Sequence, residues 1–267
     1  MIRALVQLEL KLNKMVHSIS EEKIERYSRN IILPEIGGKG QEKLLKSKVL
    51  VIGAGGLGSP VIMYLAAAGV GNITILDHDK VELSNLQRQI IHKLHSLGKD
   101  KATSAKIFIN ELNPDINVAD MNMKFDEFNA KKLILEHDII ADGSDNFDTR
   151  YLVADMCFNY KKTLVSAAIN KYEGQISTWK GNGKNLPCYR CLFPEKPNSE
   201  EYLNCSSNGV LGSLAGFLGS LQATEVVKEI LGIGKSLSGY LNIYDLLNNN
   251  FRKIKVDRDP SCKFCNT

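Results

Sequence analysis

The sequence predicts an α/β fold: a Rossmann-like, mostly parallel sheet with helices on both faces, extended by antiparallel strands. Three observations predict it. Apolar runs of β type alternate with helical stretches, the pattern typical of a parallel sheet covered by helices. A glycine-rich turn joins the first strand to a helix, and the 267 residues, of which 43% are hydrophobic, suffice to bury one large core.

The first half of the chain alternates strictly after an amphipathic opening at Glu21 to Arg29. The predicted elements, in order, are a strand at Lys48 to Ile52, a helix at Ser59 to Ala68, a strand at Asn72 to Leu76, a helix at Lys99 to Leu112, a strand at Asn117 to Met121, a helix at Glu127 to Glu136 and a strand at His137 to Ala141. Gly69 ends one helix and Pro114 another, since proline disfavours the helical conformation of the residue before it.

Beyond Asp142 the strict alternation breaks. The predicted elements are a helix at Thr149 to Tyr160, a strand at Thr163 to Ala167, a hairpin-like pair around Gly174 to Trp179, a helix at Val210 to Leu231, and strands at Ser238 to Asp245 and Phe251 to Val256. Residues 181–208 are rich in Gly, Pro, Asn and Ser, and a loop of this length inside a compact domain is usually functional. We expect an N-terminal extension over residues 1–19, one domain over residues 20–267, and a crossover loop at about 181–208.

Composition excludes several classes of protein. Lys and Arg number 34 against 30 Asp and Glu, and the net charge of +4 is too slight to indicate a nucleic-acid or membrane-surface partner. The most apolar stretch, Val210 to Leu221, carries three glycines and falls short of the roughly 20 apolar residues that span a bilayer. Six cysteines without a signal peptide indicate a reducing compartment, so we expect a cytoplasmic protein.

The glycine turn has the G-x-G-x-x-G form, with Gly53, Gly55, Gly56 and Gly58 placed between a predicted strand and a predicted helix. Glycines there allow a tight turn and let backbone N–H groups approach phosphate oxygens. Asp77 ends the next strand, where a carboxylate accepts hydrogen bonds from ribose hydroxyls. The pattern favours nucleotide binding over a purely structural turn.

Polar and cationic side chains follow Asp77. They are Asp79, Ser84, Asn85, Gln87, Arg88 and then Lys101. Two cations and an amide suit a triphosphate, whose charge must be neutralised as a bond to phosphorus changes, whereas a nicotinamide dehydrogenase would need a hydride-acceptor site instead. The cluster favours ATP, and the alternative interpretation is a solvated loop and helix face.

A third polar group follows the strand that ends at Ala141. Ligands of open α/β sheets collect beyond such strand ends, and a carboxylate there can hold Mg²⁺ against phosphate. Asp145 is the candidate magnesium ligand, with the N-cap of the following helix as its alternative role. We interpret Asp142 as structural.

Two CxxC pairs predict a metal centre. Their four cysteines are Cys188, Cys191, Cys262 and Cys265. A single pair could be a redox dithiol, but two favour a closed tetrahedral zinc site, which is structural because no coordination position stays open. The fold prediction therefore includes a four-cysteine zinc knuckle that ties the C-terminal tail to the body.

The other cysteines and the histidines are less informative. Cys205 precedes the Val210 helix, whose positive end would lower its pKa, and it is either a catalytic thiol or a loop thiol without a role. Cys157 lies on an apolar helix face and is interpreted as a core residue. We interpret each of the five histidines as a surface or packing residue: His17, His78, His92, His95 and His137.

In this order, the motifs resemble the ThiF/MoeB/HesA family, bacterial relatives of the ubiquitin-activating E1 enzymes, and within it the molybdopterin-synthase adenylyltransferase type. The resemblance covers about residues 20–267. Besides the glycine turn and the CxxC pairs, it includes Glu25 to Leu33, Gly69 to Thr74, Asp77 to Asp79, Leu83 to Gln89, Gly98 to Lys101, Ser144 to Asp148 and Gly219 to Ala223.

The resemblance implies a role for each site residue. ATP would lie over Gly56, with Asp77 on the ribose, Asn85, Arg88 and Lys101 on the phosphates, and Asp145 holding Mg²⁺ beside Asn146. Arg29 would reach the phosphates bound by the neighbouring subunit, because the family works as a homodimer with composite sites.

The resemblance also implies a reaction. A nucleotidyltransferase of this family activates the C-terminal glycine carboxylate of a small ubiquitin-like sulfur carrier ending in Gly-Gly, of the MoaD or ThiS type, for molybdenum cofactor or thiamine biosynthesis. No sulfurtransferase-like segment follows Thr267, so we expect a separate sulfur donor. The alternatives are a relative that activates a carboxylate on tRNA, a NAD-dependent oxidoreductase, and a partner subunit without catalysis.

Overall fold

The computed structural model describes residues 19–181, 183, 185–197 and 209–266. One eight-stranded sheet lies at its centre. The strands are β1 (Lys48–Ile52), β2 (Asn72–Leu76), β3 (Asn117–Met121), β4 (Ile139–Asp142), β5 (Thr163–Asn170), β6 (Glu173–Lys180), β7 (Tyr240–Asp245) and β8 (Asn250–Lys255). Their spatial order is β3-β2-β1-β4-β5-β6-β7-β8.

Nine helices occur in the described part of the chain. They are α1 (Glu21–Arg26), α2 (Ser28–Ile31), α3 (Gly37–Lys46), α4 (Gly58–Ala67), α5 (Lys101–Leu112), α6 (Glu127–Glu136), α7 (Phe147–Asn159), α8 (Tyr189–Leu192) and α9 (Gly212–Leu231). Two single turns of 3-10 helix, Leu83–Asn85 and Leu94–Ser96, lie between β2 and α5. None of the described helices combines the length and apolar character that crossing a bilayer requires.

The sheet confirms the predicted fold class. β1 to β5 pair in parallel, with Ile52 of β1 in register with Leu76 of β2 and Asp142 of β4. From β5 onward every pair is antiparallel. The residues predicted as a hairpin-like pair belong to one strand, β6, which forms a hairpin with β5, and β5 extends three residues beyond its predicted end at Ala167.

Helices cover both faces, because the residues of each central strand alternate between two cores. Val49 and Val51 of β1 pack with α3, α4, α5 and α9 in one apolar cluster. Leu50 and Ile52 pack with α6 and α7 in the other. Parallel strands buried on both faces explain the uninterrupted apolar runs in the sequence.

The N-terminal region differs from its prediction. The opening at Glu21 to Arg29 is divided at Tyr27 into α1 and α2, and α3 was not predicted at all. α3 begins with the glycine-rich Gly37 to Gly40, a poor helix-forming segment. It forms because Leu44 is fully buried in the core and its carbonyl accepts a hydrogen bond from the Gly71 N–H at 3.0 Å.

Tyr27 and Asn113 attach the N-terminal helices to the sheet domain. Both side chains are about 1% exposed. The Asn113 Nδ2 donates to the Tyr27 hydroxyl at 2.8 Å and to the Ala66 carbonyl at 2.7 Å, at the end of α4. The Tyr27 ring lies where a side chain at Gly69 would be, 2.6 Å from its ideal Cβ. Glycine at position 69 is therefore required for the ring to dock.

The Asn113→Ala variant should lower the free energy of unfolding by about 1–3 kcal/mol, because it leaves the buried Tyr27 hydroxyl and Ala66 carbonyl without this donor. Urea denaturation measures the change. Asn117→Ala is the matched control: Asn117 is exposed on β3, and its replacement should change stability by no more than about 0.5 kcal/mol. Equal effects of the two substitutions would contradict the docking role of Asn113.

Candidate functional site

The turn between β1 and α4 is built from backbone alone. A Cβ on Gly58 would lie 1.8 Å from the Gly53 carbonyl oxygen, and Gly53 itself has a φ of +88°. Within the described chain, the N–H groups of Gly55, Gly56 and Leu57 donate no hydrogen bond. They lie at the positive N-terminal end of α4, so the turn can bind an anion such as phosphate.

A second turn lies directly against the first one. The strand order reverses between β1 and β4, the position where ligands of open α/β sheets bind. The ideal Cβ of Gly53 would be 3.0 Å from the carbonyl oxygen of Gly143, which follows β4. The structure thus brings the glycine turn and the loop of Asp145 into contact.

Asp77 holds the glycine turn to the end of β2. Its side chain is buried, with Oδ2 accepting from the Ala54 N–H at 2.7 Å and Oδ1 from the Asp79 N–H at 2.8 Å. Burial raises the pKa of Asp77, and these hydrogen bonds and the charge of Lys101 oppose the shift. The acid predicted for ribose therefore lies beside the turn and also shapes it.

Lys101 and Asp79 form an ion pair next to Asp77. The Lys101 Nζ, on the buried first residue of α5, is 2.8 Å from Asp79 Oδ2, and half of the Asp79 side chain is exposed. Burial opposes ionisation of Asp79, but the hydrogen bond and charge of Lys101, with a smaller effect of His78, lower its pKa. The pair holds the Lys101 side chain at the edge of the site.

Arg88 lies over the glycine turn. Its Cγ is 3.4 Å from the ideal Cβ of Gly56, and its guanidinium donates to the Ser84 carbonyl at 3.3 Å. No carboxylate in the described chain forms an ion pair with Arg88. Asn85 is buried, and its Oδ1 accepts from the Glu82 N–H at 3.1 Å, which closes the 3-10 turn below Arg88. Ser84, Asn85 and Arg88 thus lie together beside the glycine turn.

The backbone of Ser144 is held on both sides. Its N–H donates to Asp142 Oδ1 at 2.9 Å, and its carbonyl accepts from the Arg150 guanidinium. Asp142 is completely buried; burial raises its pKa, and Arg150 and Ser144 oppose the shift. Asp142 therefore acts as the structural residue that the sequence suggested, and it fixes the residue that precedes Asp145.

Asn146, not Asp145, caps α7. The Asn146 Oδ1 accepts from the Thr149 N–H at 2.9 Å. The Asp145 side chain is exposed and makes no hydrogen bond or ion pair within the described residues. The alternative role of Asp145 as the cap is thus wrong, and its carboxylate is free to bind a cation.

Arg29 lies away from the glycine turn of its own chain. It is exposed on α2, and the neighbouring Asn30 donates to the Ala68 carbonyl at 3.4 Å, just past the far end of α4. A ten-residue helix such as α4 is about 15 Å long, so this position is roughly that far from the turn. Cys205, the other predicted catalytic residue, lies outside the described residues.

The four predicted metal-binding cysteines converge. Their Sγ atoms all lie within 4.8 Å of one another, and three of the pairs, Cys188–Cys191, Cys188–Cys262 and Cys191–Cys265, are 3.6 to 3.7 Å apart. A tetrahedron with metal–sulfur bonds of about 2.3 Å has sulfurs about 3.8 Å apart, so the cluster fits a four-thiolate metal centre. Burial, with Cys191 beside it, raises the pKa of Cys188, so a bound cation is what would favour its thiolate.

Arg190 connects this cysteine cluster to α7. Its guanidinium donates to both carboxylate oxygens of Asp155, at 2.8 and 2.7 Å, and stacks 5.4 Å from the Phe264 ring centroid. Phe158 of α7 also packs against Phe264. The C-terminal tail is thereby attached to the helix that follows the Asp145 loop.

Two of the five histidines have defined hydrogen-bonding roles in the core, which the sequence did not indicate. His92 and His137 are buried, and each uses both ring nitrogens in hydrogen bonds. His78 and His95 are exposed, and His17 lies outside the described residues. No sequence signal separated the buried pair from the others, because their partners are distant in the chain.

The segment Gly219 to Ala223 has a packing role. A Cβ on Gly219 would lie 2.3 Å from Pro60 Cγ, so α9 and α4 touch there. The Gln222 Nε2, fully buried, donates to the Asp142 and Val165 carbonyls at 2.8 and 3.0 Å. Through Gln222 the helix stabilises the end of β4, where the Asp145 loop begins.

Comparison with curated proteins gives close relatives. The SAMP-activating enzyme E1 of Haloferax volcanii is 45% identical over 251 residues, covering 94% of this chain and 92% of that protein. The sulfur carrier protein adenylyltransferase of Thermus thermophilus is 43% identical, covering 92% of each. The adenylyltransferase and sulfurtransferase MOCS3 of Aedes aegypti is 45% identical, and there the chain spans 57% of the relative's length.

Solved structures agree on the fold. Escherichia coli MccB with MccA-N7isoASN has a TM-score of 0.80 at 22% identity, covering 93% of this chain and 76% of that one. MccB with ATP has a TM-score of 0.78 at 23% identity, covering 91% and 75%. The ThiF family model matches residues 27–264. The chain therefore belongs to the ThiF family and is an enzyme of the adenylyltransferase class, which confirms the resemblance and the enzyme class that the motifs predicted.

Proposed function

We propose that this enzyme uses ATP and Mg²⁺ to adenylate the C-terminal glycine carboxylate of a small ubiquitin-like sulfur carrier of the MoaD or ThiS type. The observation on which this depends is the juxtaposition of unpaired turn N–H groups, the cations of Arg88 and Lys101, and the free carboxylate of Asp145. The names of the relatives support the carrier as substrate. The pathway served is molybdenum cofactor or thiamine biosynthesis.

The reaction needs charge compensation more than proton transfer. The carrier carboxylate attacks the α-phosphorus of ATP, a new C–O–P bond forms, and the bond to the bridging oxygen breaks to release pyrophosphate. The attacking carboxylate is already ionised at neutral pH, so no general base is required. Two anions must approach each other, and Arg88, Lys101 and the turn N–H groups neutralise the charge and hold the phosphates in line.

Asp145 is proposed as the magnesium ligand, and its position supports this. The carboxylate is exposed and unpaired while the residues on either side have structural partners. Mg²⁺ binds one or two carboxylates together with substrate phosphates, and it would neutralise phosphate charge there. Asp77 would bind the ribose, and Asn146 would lie beside the metal.

The four-cysteine cluster is proposed as a zinc site. Four buried or half-buried thiols at near-tetrahedral spacing match the ligands that zinc prefers in closed structural sites. It would stabilise the fold rather than take part in adenylation. Because it requires reduced thiols, it supports a cytoplasmic location.

We further propose a homodimer. Arg29 lies beyond the far end of α4 from its own glycine turn and makes no ion pair in the described residues. A second copy would be needed for its guanidinium to reach bound phosphates. The sulfur that the carrier later receives is proposed to come from a separate sulfurtransferase.

Asp145→Ala should lower ATP–pyrophosphate exchange by at least about 100-fold, because the phosphates lose their metal ligand. Exchange is measured with Mg²⁺ and a carrier ending in Gly-Gly. Asp148→Ala is the matched control: Asp148 is exposed on the first turn of the same helix and pairs with Lys196. It should retain exchange, and both variants should keep their zinc and their dimer. Wild-type exchange in Asp145→Ala, or binding of NAD without ATP by the unmodified enzyme, would contradict the proposal.

Cys262→Ser and Cys265→Ser should each lose zinc and lower Tm by at least about 5 °C, because the metal links the tail to the body. Elemental analysis and thermal unfolding measure the two effects. Cys157→Ala is the control, since Cys157 is buried in the core with α6 and α7 and is not one of the four clustered thiols, so this variant should keep about one zinc per chain. Full zinc content in the Cys262 and Cys265 variants would refute the site.

Cys205→Ala should leave pyrophosphate exchange within about twofold of the wild type, because adenylate formation needs no thiol. If Cys205 is catalytic, a covalent carrier adduct seen by mass spectrometry under non-reducing conditions should disappear in the variant. Loss of exchange itself would show that the thiol acts earlier than proposed.

A further inference from the structure

His92 is a buried side chain that the proposed reaction does not use. It is 5% exposed and lies in the chain between Arg88 and Lys101. Its Nε2 is 3.0 Å from the Ala54 carbonyl oxygen, inside the glycine turn, and its Nδ1 is 3.0 Å from the Ser104 hydroxyl on α5. The imidazole therefore contacts the glycine turn and α5, and it belongs to the segment that contains Arg88.

The two partners determine which nitrogen carries the hydrogen. A carbonyl oxygen can only accept, so Nε2 must be the donor to Ala54. Nδ1 of the neutral ring then accepts from the Ser104 hydroxyl. Burial lowers the pKa of His92 to about 4, helped by the charge of Lys101 and opposed by the bond to Ala54, so the ring is neutral at physiological pH.

Ala54 is consequently held at both of its peptide groups. Asp77 accepts from its N–H at 2.7 Å, and His92 donates to its carbonyl. The N–H groups without partners begin at the next residue, Gly55. Orienting the Ala54 peptide therefore sets the direction in which those N–H groups point.

His92 also fixes the segment that carries the cations. Arg88 and Gln89 lie four and three residues before it, and their side chains come within 3.4 and 3.6 Å of the ideal Cβ positions of Gly56 and Gly55, respectively. Ser104 lies one helical turn after Lys101 on α5. Loss of the His92 contacts would loosen Arg88, Lys101 and the turn relative to one another.

We propose that His92 is a positioning residue for nucleotide binding, which aligns the glycine turn with Arg88 and Lys101 through its bonds to Ala54 and Ser104. The inference rests on the proposed function, since it assumes that the turn holds ATP. Donors fixed before the ligand arrives bind charge without a reorganisation cost, so the expected defect is in ATP affinity.

The test compares calorimetric binding of a non-hydrolysable ATP analogue, with Mg²⁺, by the full-length wild type and three variants. His92→Leu should weaken binding at least about tenfold, because the turn loses its donor. His92→Gln keeps an N–H donor at the Nε2 position and should bind within about threefold of the wild type. In exchange assays the KM for ATP should rise in His92→Leu while the KM for the carrier stays unchanged.

His137→Leu is the matched control for general destabilisation. His137 is buried to the same degree, and its two nitrogens bond the Leu133 carbonyl at 2.6 Å and Thr74 Oγ1 at 2.7 Å, away from the glycine turn. It should lose thermal stability as His92→Leu does but keep nucleotide affinity within about threefold. Equal weakening by the two leucine variants, or no rescue by His92→Gln, would overturn the inference.

Two further outcomes distinguish failure of the proposed function from failure of the role inferred for His92. If the wild type itself fails to bind the analogue, the proposed function falls and this inference with it, whereas equal binding by wild type and His92→Leu overturns this inference alone. If His92→Leu does not fold, Ser104→Ala takes its place, since it removes the bond that orients the ring. Weakening by more than about threefold in Ser104→Ala supports the inference, and affinity within about threefold of the wild type overturns it.

Discussion

The structure depends on the close approach of two backbone turns where the order of the parallel strands reverses. β1 and β4 are in register at Ile52 and Asp142, so the turns that follow them must pack against each other. Side chains have no room there. A Cβ on Gly58 would lie 1.8 Å from the Gly53 carbonyl oxygen, and a Cβ on Gly53 would lie 3.0 Å from the Gly143 carbonyl oxygen. Glycine at these positions lets the strands pair and lets the two loops that contain the candidate site residues pack against each other.

Around these turns, buried polar groups hold the backbone, while charged side chains that are exposed or half-buried stay available to a ligand. Asp77 and Asp142 accept from main-chain N–H groups, and Arg150 donates to a main-chain carbonyl. Arg88 and Asp145, by contrast, have no ion-pair partner among the described residues. A site that handles concentrated negative charge benefits from this division, because the frame is fixed in advance and only the charged side chains respond to a ligand.

The antiparallel half of the sheet ends at β8, and the chain that follows β8 packs back against the body of the domain. β8 is an edge strand with every residue exposed, and Arg252, Lys253 and Lys255 discourage pairing with another chain. After β8 the tail returns to the cysteine cluster beside α7. The same helix begins at the Asp145 loop, so the cluster and the candidate site share one supporting element.

The amino-acid sequence by itself determined the alternating strands and helices from Lys48 onward, the glycine turn and the two CxxC pairs, because periodicity and short spacings are local properties of the chain. It missed α3, a glycine-rich segment that is helical because Leu44 is buried. Only the tertiary structure decided that Asn146 caps α7, that Gln222 stabilises β4, and that His92 holds Ala54. The last two contacts join residues 80 and 38 positions apart, and no local pattern encodes a partner that only the folded chain brings near.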